Sequence, residues 1–158
     1  MAKKSAGILL YRRLNTQFEF FLVHPGGPYF KNKDLGVWSI PKGEYLDDEE
    51  TLTAAKREFY EETGQSVNGD FIPLDPVTLK SGKIVHAWAL EGDIDAATIV
   101  SNYFEMEWPP KSGKKQSFPE IDRGGWFGAN EAKLKINASQ AGLIEDFLLK
   151  LGNRPDFF

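Results

Sequence analysis

Residues 43–65 read GEYLDDEETLTAAKREFYEETGQ and form a strongly acidic stretch of this 158-residue chain. Eight acidic and two basic side chains give the stretch a net charge of −6, whereas the whole chain carries −4. The remaining residues therefore sum to +2. Negative charge confined to one segment indicates a site rather than a general means of keeping the protein in solution.

A helix is predicted from residue 48 to residue 63 of this stretch. Asp47 is the expected N-cap, and Glu50 three positions later completes a capping box. The apolar stripe of the helix consists of Leu52, Ala55 and Phe59. Gly64 suits the turn that ends it. The helix therefore has one core-facing stripe and one polar side.

Three glutamates of this helix, Glu58, Glu61 and Glu62, are expected to share one face, because residues three and four apart are neighbours. Like charges in that arrangement repel one another. Arg57 points roughly 100° away, from the 3.6-residue period, so it is not expected to neutralise all three. Two interpretations remain open from these residues alone. The face is either solvated, as charge runs usually are, or it holds a hard divalent cation such as Mg²⁺.

The wider spacing resembles a known signature. From Gly43 it runs as five residues, a glutamate, seven residues and then Arg-Glu-Phe-x-Glu-Glu-x-Gly, ending at Gly64. This pattern resembles the Nudix box, and the chain resembles a Nudix hydrolase. The preceding WSIPKGE, residues 38–44, matches the family's usual approach to the box. Gln65 departs from the aliphatic residue normal at the last position, and we expect Val67 to supply the missing apolar contact without loss of activity.

The resemblance implies a fold and a reaction. The expected fold is an α/β/α sandwich with a mixed sheet, in a single domain over residues 1–158. The expected reaction is hydrolysis of a phosphoanhydride bond in a nucleoside diphosphate linked to another group. The implied cofactor is Mg²⁺, with Mn²⁺ as a substitute, and the implied partner is a nucleotide-type small molecule. Nudix proteins often dimerise, so a homodimer is compatible with the resemblance.

The resemblance also assigns roles to residues. The metal ligands it implies are Glu58, Glu61, Glu62 and the carbonyl of Gly43. It implies that Glu49 and Arg57 pair with each other and support the site. The catalytic residues are expected to be Glu58, Glu61 and Glu120. Glu120 is the candidate remote base, and its alternative is an ordinary loop carboxylate. Glu105 and Glu107 are weaker candidates for the same role.

Candidate substrate contacts lie outside the box. Lys42 is a candidate phosphate ligand, with an idle surface lysine as the alternative. Tyr29 and Trp38 are candidate platforms for a nucleobase, as are Phe30 and Phe118, with a place in the core as the alternative for each. Lys111, Lys114 and Lys115 form a short basic patch that either holds distal phosphates or is a solvated loop. His24 and His86 are expected to be structural.

The remaining sequence alternates predicted strands with loops. Strands are predicted at 5–12, 18–23, 37–40, 71–80, 83–91 and 124–129. Surface loops rich in glycine and proline are predicted at 24–36 and 108–119. An amphipathic helix is predicted at 139–151, with Leu143, Phe147 and Leu151 on one face. This mixture of elements indicates a layered α and β domain.

Composition excludes several kinds of site. The chain has no cysteine, which excludes disulfides and thiolate metal ligands. The apolar run near the N-terminus is too short for a signal peptide or a membrane span, so a cytoplasmic protein is expected. No phosphate-binding GxxxxGK[ST] loop, calcium-loop motif or basic-aromatic stripe for nucleic acid occurs.

The sequence says less about the substrate. Residues 80–82 read Lys-Ser-Gly and carry neither the proline nor the tyrosine that accompanies ADP-ribose or dinucleoside polyphosphate preference in the family. A nucleoside triphosphate or a dinucleoside polyphosphate is favoured because the chain is short. The alternative is a non-catalytic Nudix-fold module that binds a nucleotide or a protein.

Overall fold

A computed structural model of the chain describes residues 3–152. Nine strands run through that range: β1 (Lys4–Leu14), β2 (Gln17–Pro25), β3 (Lys42–Glu44), β4 (Ile72–Pro73), β5 (Val77–Thr78), β6 (Ile84–Glu91), β7 (Tyr103–Glu107), β8 (Lys115–Pro119) and β9 (Ile121–Gly128). Seven of them form a mixed sheet in the order β4-β6-β1-β2-β9, with β3 paired to β1 and β5 paired to β6. Strands β7 and β8 form a separate antiparallel hairpin.

Helices cover both faces of the main sheet. They are α1 (Thr51–Thr63), α2 (Ala129–Lys135) and α3 (Ala141–Leu151), with short 3₁₀ turns at Ala96–Thr98 and Ala138–Gln140. The apolar side of α1 packs in one buried cluster through Ala55 and Phe59, and α3 packs in the other through Leu143 and Phe147. The fold is therefore the predicted α/β/α sandwich.

The central strand β1 contributes to both clusters. Ile8 and Leu10 belong to the cluster with α1, and Leu9 and Tyr11 belong to the cluster with α3. Successive side chains of a strand point to opposite faces, so a strand covered on both faces is apolar without interruption. The run SAGILLY shows this pattern, which explains why the strand could be predicted from sequence.

An aromatic group fixes α3 on the sheet. The ring of Phe147 lies 4.5 Å from that of Tyr11, 5.0 Å from Phe18 and 5.1 Å from Phe20, measured between centroids. The contacts with Phe18 and Phe20 are edge-to-face, which aromatic rings prefer over a direct face-to-face stack. The packing of α3 therefore depends strongly on this one side chain.

The predicted strand 37–40 is wrong. Within the described residues, this segment makes isolated bridges, from Trp38 to Ile136 and from Ser39 to Val23. The next backbone N–H, that of Ile40, donates to the side chain of Gln140 at 3.1 Å instead of to a neighbouring strand. Pro41 then has no N–H to offer. The segment is held in place without being part of the sheet.

The predicted start of the first helix is also wrong. Helix α1 begins at Thr51, after Glu50 as the N-cap residue, and no side-chain capping bond is found there in the described part of the chain. Asp47 forms an ion pair with Lys4 at 2.6 Å instead of capping the helix. The predicted end is confirmed, since Gly64 adopts φ 76°. A left-handed residue at this position favours glycine.

Two further segments differ from prediction. The strand expected at 71–80 is split into β4 and β5, and Pro76, which has no N–H to donate, lies in the break between them. The loop expected at 108–119 ends in strand β8, and helix α2 was not predicted. Strand β8 is exposed over its first three residues, so it lacks the apolar alternation by which strands are recognised. Within residues 3–152, no helix is long and apolar enough to cross a membrane.

Replacing Phe147 with alanine should destabilise the fold by about 3–5 kcal/mol, because it removes a fully buried ring and leaves a cavity. Leu149→Ala on the same helix is the matched control. Leu149 is 76% exposed, so its replacement should change the unfolding free energy by less than about 0.5 kcal/mol. Chemical denaturation of both variants measures the difference, and equal losses would contradict the packing described.

Candidate active site

The polar side of α1 presents its glutamates at one edge of the sandwich. Phe59 anchors the opposite side of the helix in the core. Glu58 is buried, while Glu61 and Glu62 are half-buried. The C-terminal end of the helix is held by the backbone of the following segment, because the N–H of Asn102 donates to the carbonyl of Glu61 at 3.0 Å. The three carboxylates are thus fixed on a rigid element.

Arg57 organises the charges beside this face. Its Nε and Nη2 donate to the two carboxylate oxygens of Glu49 at 2.8 and 2.9 Å, which is a bidentate pair. This bond holds the pKa of Glu49 below its usual range. The predicted pairing of Glu49 with Arg57 is confirmed, and it ties the loop before α1 to the middle of the helix.

Arg57 also reaches further than its helical position suggested. Its Nη1 donates to Glu58 at 2.8 Å and to Glu61 at 3.1 Å. The guanidinium offers five donors at the end of a long side chain, so it can bend round the helix and serve three carboxylates. It thus contacts two of the three clustered glutamates, Glu62 being the third.

Gly43 is packed directly against Glu58. A Cβ atom at position 43 would overlap the Glu58 carboxylate, so a larger residue forces that side chain to move. Strand β3 holds Gly43 in place by pairing it with Ala6 of β1. Glycine at this position therefore allows the backbone to approach the acidic cluster, which is what a carbonyl ligand beside those carboxylates requires.

Glu62 is held on the other side of the cluster. The backbone N–H of Lys42 donates to its carboxylate at 3.2 Å. Burial raises the pKa of Glu62 to about 8, and the charges of Glu58 and Glu120 act in the same direction. Burial likewise raises the pKa of Glu58, against the hydrogen bond from Arg57, which lowers it. The cluster thus carries more negative charge than its protein neighbours compensate.

Lys42 is not a fully exposed surface lysine. Its side chain is half-buried. Burial lowers the pKa of Lys42, the charge of Lys83 adds to this effect, and the charge of Glu62 opposes it. Lys42 therefore lies within the site, next to Glu62.

Glu120 is brought to the cluster from a distant part of the chain. It lies between β8 and β9, where its N–H donates to the carbonyl of Asn102 and its carbonyl accepts from Gly26, both at 2.8 Å. Partial burial raises the pKa of Glu120, and the charge of Glu61 raises it further. Glu105 and Glu107 lie farther along β7, and Glu107 accepts a hydrogen bond from the N–H of Lys111 at 2.6 Å. Of the three candidates, Glu120 is the one whose charge raises the pKa values of Glu58 and Glu62.

The donor set fits a hard divalent cation in its chemistry. It consists of carboxylate oxygens and a carbonyl, which Mg²⁺ prefers. Burial raises the pKa values of Glu58 and Glu62, and a cation bound among these oxygens would favour their ionised forms. Within residues 3–152, however, no three acidic or histidine side chains are already arranged as a ligand set. Two of these carboxylates, those of Glu58 and Glu61, are instead hydrogen-bonded to Arg57.

Two of the four candidate nucleobase platforms, Tyr29 and Trp38, differ in position. Tyr29 is 57% exposed in the loop after β2. Trp38 is only 4% exposed, and its Nε1 donates to Asp34 at 2.8 Å. Its ring packs edge-on against His24 and Phe127. Trp38 as a stacking platform is therefore wrong, because its face is covered by the core.

Two smaller expectations are confirmed. His24 is fully buried, with Nδ1 2.8 Å from Asp122 and Nε2 2.7 Å from the carbonyl of Lys33, so it is a structural residue. Val67 packs against the cluster under α1. It compensates for Gln65, whose side-chain amide donates instead to Thr98 at 3.1 Å.

A cavity beside Lys42 was not predicted. Its volume is about 440 Å³, and it is lined by Val37, Ser39, Lys42, Ser81, Asn137 and Ser139 together with neighbouring residues. These residues come from segments far apart in the sequence, and no local pattern marks them. The signal that could have found the cavity is weak: a lysine next to the acidic stretch and a polar turn before the last helix.

Comparison with known families and structures agrees with this geometry. The NUDIX domain profile matches residues 1–147. A comparison with curated proteins found no match.

Solved structures share the fold at low sequence identity. The Ap4A hydrolase of C. elegans, solved as a binary complex, is 21% identical over 97% of this chain and 100% of its own, with a TM-score of 0.64. The NUDIX domain of Shewanella oneidensis NrtR, solved with ADP ribose, is 14% identical over 96% and 89%, with a TM-score of 0.62. A MutT/nudix family protein from Listeria innocua is 17% identical over 95% and 94%, with a TM-score of 0.61. At these identities the likeness establishes the fold.

Replacing Glu62 with glutamine should stabilise the metal-free protein at pH 8. The raised pKa means that folding disfavours the ionised carboxylate, so the penalty appears above the ordinary glutamate value of 4.5 and grows as pH approaches 8. Glutamine keeps the acceptor for the N–H of Lys42. We expect a gain on the order of 1–3 kcal/mol at pH 8.

Chemical denaturation in the presence of a chelator, at pH 4.5 and at pH 8, measures this effect. The gain should be small at pH 4.5, where the carboxyl is protonated in the folded state and about half protonated in the unfolded state, so that little of the penalty has developed. An equal gain at both pH values, or none at pH 8, would contradict the description of Glu62 as a buried carboxyl whose ionised form is disfavoured by folding.

Proposed function

The chain belongs to the NUDIX family of pyrophosphohydrolases, and from this premise we propose that it hydrolyses a nucleoside triphosphate or a dinucleoside polyphosphate with Mg²⁺ as cofactor. Mn²⁺ is the expected substitute. The observation that carries the proposal is the convergence of four carboxylates, three from α1 and one from the β8–β9 junction, with raised pKa values at Glu58, Glu62 and Glu120. Such a cluster has a clear use in binding a cation together with a polyanionic substrate.

The metal ligands in this proposal are Glu58, Glu61, Glu62 and the carbonyl of Gly43. When bound, the cation neutralises the carboxylates and polarises the phosphate that is attacked. The bidentate bond between Arg57 and Glu49 holds the loop before α1 against the helix. Since Arg57 also binds Glu58 and Glu61, it limits the repulsion between them in the metal-free protein.

Glu120 is the proposed general base. Its carboxylate would accept a proton from the attacking water, and a raised pKa makes a carboxylate a stronger base. Its backbone is bonded to Asn102 and Gly26, so the group is held by tertiary structure and not by a mobile loop alone. Glu58 and Glu61 complete the catalytic set through their position beside it.

The nucleoside part of the substrate is proposed to occupy the cavity beside Lys42. That cavity has a polar lining and adjoins Glu62 through Lys42. In this arrangement Lys42 lies between the cavity and the carboxylates, where it would contact a phosphate of the substrate. The similar structures of an Ap4A hydrolase and of a NUDIX domain with ADP ribose support a nucleotide-type substrate. A non-catalytic binding module is less favoured, because every charged position of the box is retained.

Metal-dependent turnover tests the proposal directly. The purified protein is assayed for phosphate-containing products with Mg²⁺ against nucleoside triphosphates, dinucleoside polyphosphates, ADP-ribose and nucleotide sugars. Glu61→Gln should reduce kcat on the order of 100-fold or more while keeping the fold, because it removes a metal ligand and not a packing group. Glu145→Gln, on the exposed side of α3, is the matched control and should behave as wild type. Turnover by Glu61→Gln at the wild-type rate would refute the metal assignment.

The role of Glu120 is separable from metal binding. Glu120→Gln should lower kcat and flatten the acid limb of the pH–rate profile, because glutamine cannot accept the proton. The affinity of the Glu120→Gln variant for Mn²⁺, measured by titration, should stay close to that of wild type. A variant that loses Mn²⁺ affinity and keeps the shape of its pH profile would identify Glu120 as a metal ligand instead.

A further inference from the structure

The β7–β8 hairpin begins at the carboxylate cluster. Asn102, just before β7, donates its N–H to the carbonyl of Glu61 and accepts from the N–H of Glu120. Glu120 directly follows β8. Both strands therefore start or end beside catalytic glutamates, and any displacement of the hairpin is transmitted to the site.

The hairpin then extends away from the cluster. Its ladder runs from the pair Tyr103–Pro119 to the pair Glu107–Lys115, and Trp108 follows immediately. Five residues of strand correspond to about 17 Å. The hairpin belongs to its own two-stranded sheet, so its far end is not part of the sandwich core. We call residues 103–119 the arm.

An aromatic pair lies at the far end of the arm. The rings of Tyr29 and Trp108 are 5.3 Å apart between centroids and at 81° to each other. The loop that carries Tyr29 approaches the arm closely, since a Cβ at Gly27 would lie 3.0 Å from the Phe104 ring. Tyr29 nevertheless keeps 57% of its surface exposed. An exposed ring held edge-on by a second ring is a rigid surface on which a nucleobase can stack.

Positive charge surrounds this pair. The backbone N–H of Trp108 donates to the carbonyl of Lys114 at 2.9 Å, which places that lysine directly across the arm. Residues 107–115 contain one glutamate and three lysines, a net charge of +2. Among residues 3–152, no ion pair is formed by the ammonium groups of Lys111, Lys114 and Lys115. Exposed ammonium groups beside an aromatic platform complement a ligand that is both flat and anionic.

The carboxylates lie between the arm and the cavity beside Lys42. The carboxylate of Glu62 accepts from the backbone N–H of Lys42 on the cavity side, and the main-chain carbonyl of Glu61 accepts from the N–H of Asn102 on the arm side. The loop after β2 borders both, because Gly26 donates to Glu120 at the base of the arm and Val37 lines the cavity. The protein therefore has a binding element on each side of the bond to be cleaved.

We propose that the arm recognises the second nucleobase of a dinucleoside polyphosphate, with that base stacked on Tyr29 and Trp108. The lysines of the arm bind the phosphates that lead to it. This inference rests on the proposed function and narrows its substrate class. A mononucleoside triphosphate with its base in the cavity ends at its terminal phosphate and leaves the aromatic pair unused. Hydrolysis of a two-base substrate is therefore the reaction that uses both elements.

The test compares diadenosine tetraphosphate with ATP. Tyr29→Leu keeps an apolar contact with Trp108 but removes the stacking ring. We expect the ratio of the two KM values, diadenosine tetraphosphate over ATP, to rise about tenfold, the loss of one base–aromatic stack. The kcat for diadenosine tetraphosphate should stay within about twofold of wild type. Tyr29→Phe should restore the wild-type ratio.

Tyr103→Leu is the matched control, because Tyr103 is 64% exposed on the same hairpin and forms no contact with another aromatic ring among residues 3–152. It should leave the KM ratio unchanged. Trp108→Leu is the second variant, and it should raise the ratio as Tyr29→Leu does. The proposal is overturned if Tyr29→Leu weakens both substrates equally, or changes the ratio no more than Tyr103→Leu.

Equilibrium binding separates this inference from the proposed function. If wild type hydrolyses neither compound, the proposed function fails, and calorimetric titration with diadenosine tetraphosphate still tests the arm. Tyr29→Leu should then weaken binding about tenfold relative to Tyr29→Phe. Binding that is equal in the two variants would overturn the arm proposal even if hydrolysis by the wild-type protein were observed.

Discussion

The repulsion among four carboxylates in one half-buried volume is the constraint on which the site depends. Burial and mutual charge raise the pKa values of Glu58, Glu62 and Glu120, so the metal-free protein holds them at a cost in free energy. Arg57 offsets part of that cost by donating to Glu58 and Glu61. The fold keeps the cluster because the elements that carry it are anchored elsewhere, above all by Phe59 in the core.

Local and long-range structure contribute differently to this cluster. Three of the glutamates share a helix face, and their proximity follows from the helical period alone. The fourth, Glu120, arrives through backbone bonds to Asn102 and Gly26, which connect the hairpin, the end of β2 and the last turn of α1. The same bonds attach the arm to the site.

This division explains what could be predicted from the sequence. The helix with its glutamates and the double-sided strands follow from local spacing, whereas the pairing of Glu49 with Arg57 and the candidate Glu120 followed from the family resemblance. Features set by distant partners were missed or wrong. Asp47 does not cap α1 because Lys4 binds it, and Trp38 is buried because His24 of β2 and Phe127 of β9 pack against its ring. None of these partners is visible in the sequence around those residues.

The central claim is that a divalent cation relieves the repulsion among these carboxylates. Thermal unfolding of wild type and of Glu58→Gln/Glu62→Gln, each with a chelator and with saturating Mg²⁺, tests it most directly. A ligand present at 100 times its Kd stabilises the folded state by about 2.7 kcal/mol. The account predicts a marked rise in the Tm of wild type with Mg²⁺ and little or no rise in the double variant. An equal rise in both proteins, or none in wild type, would contradict it.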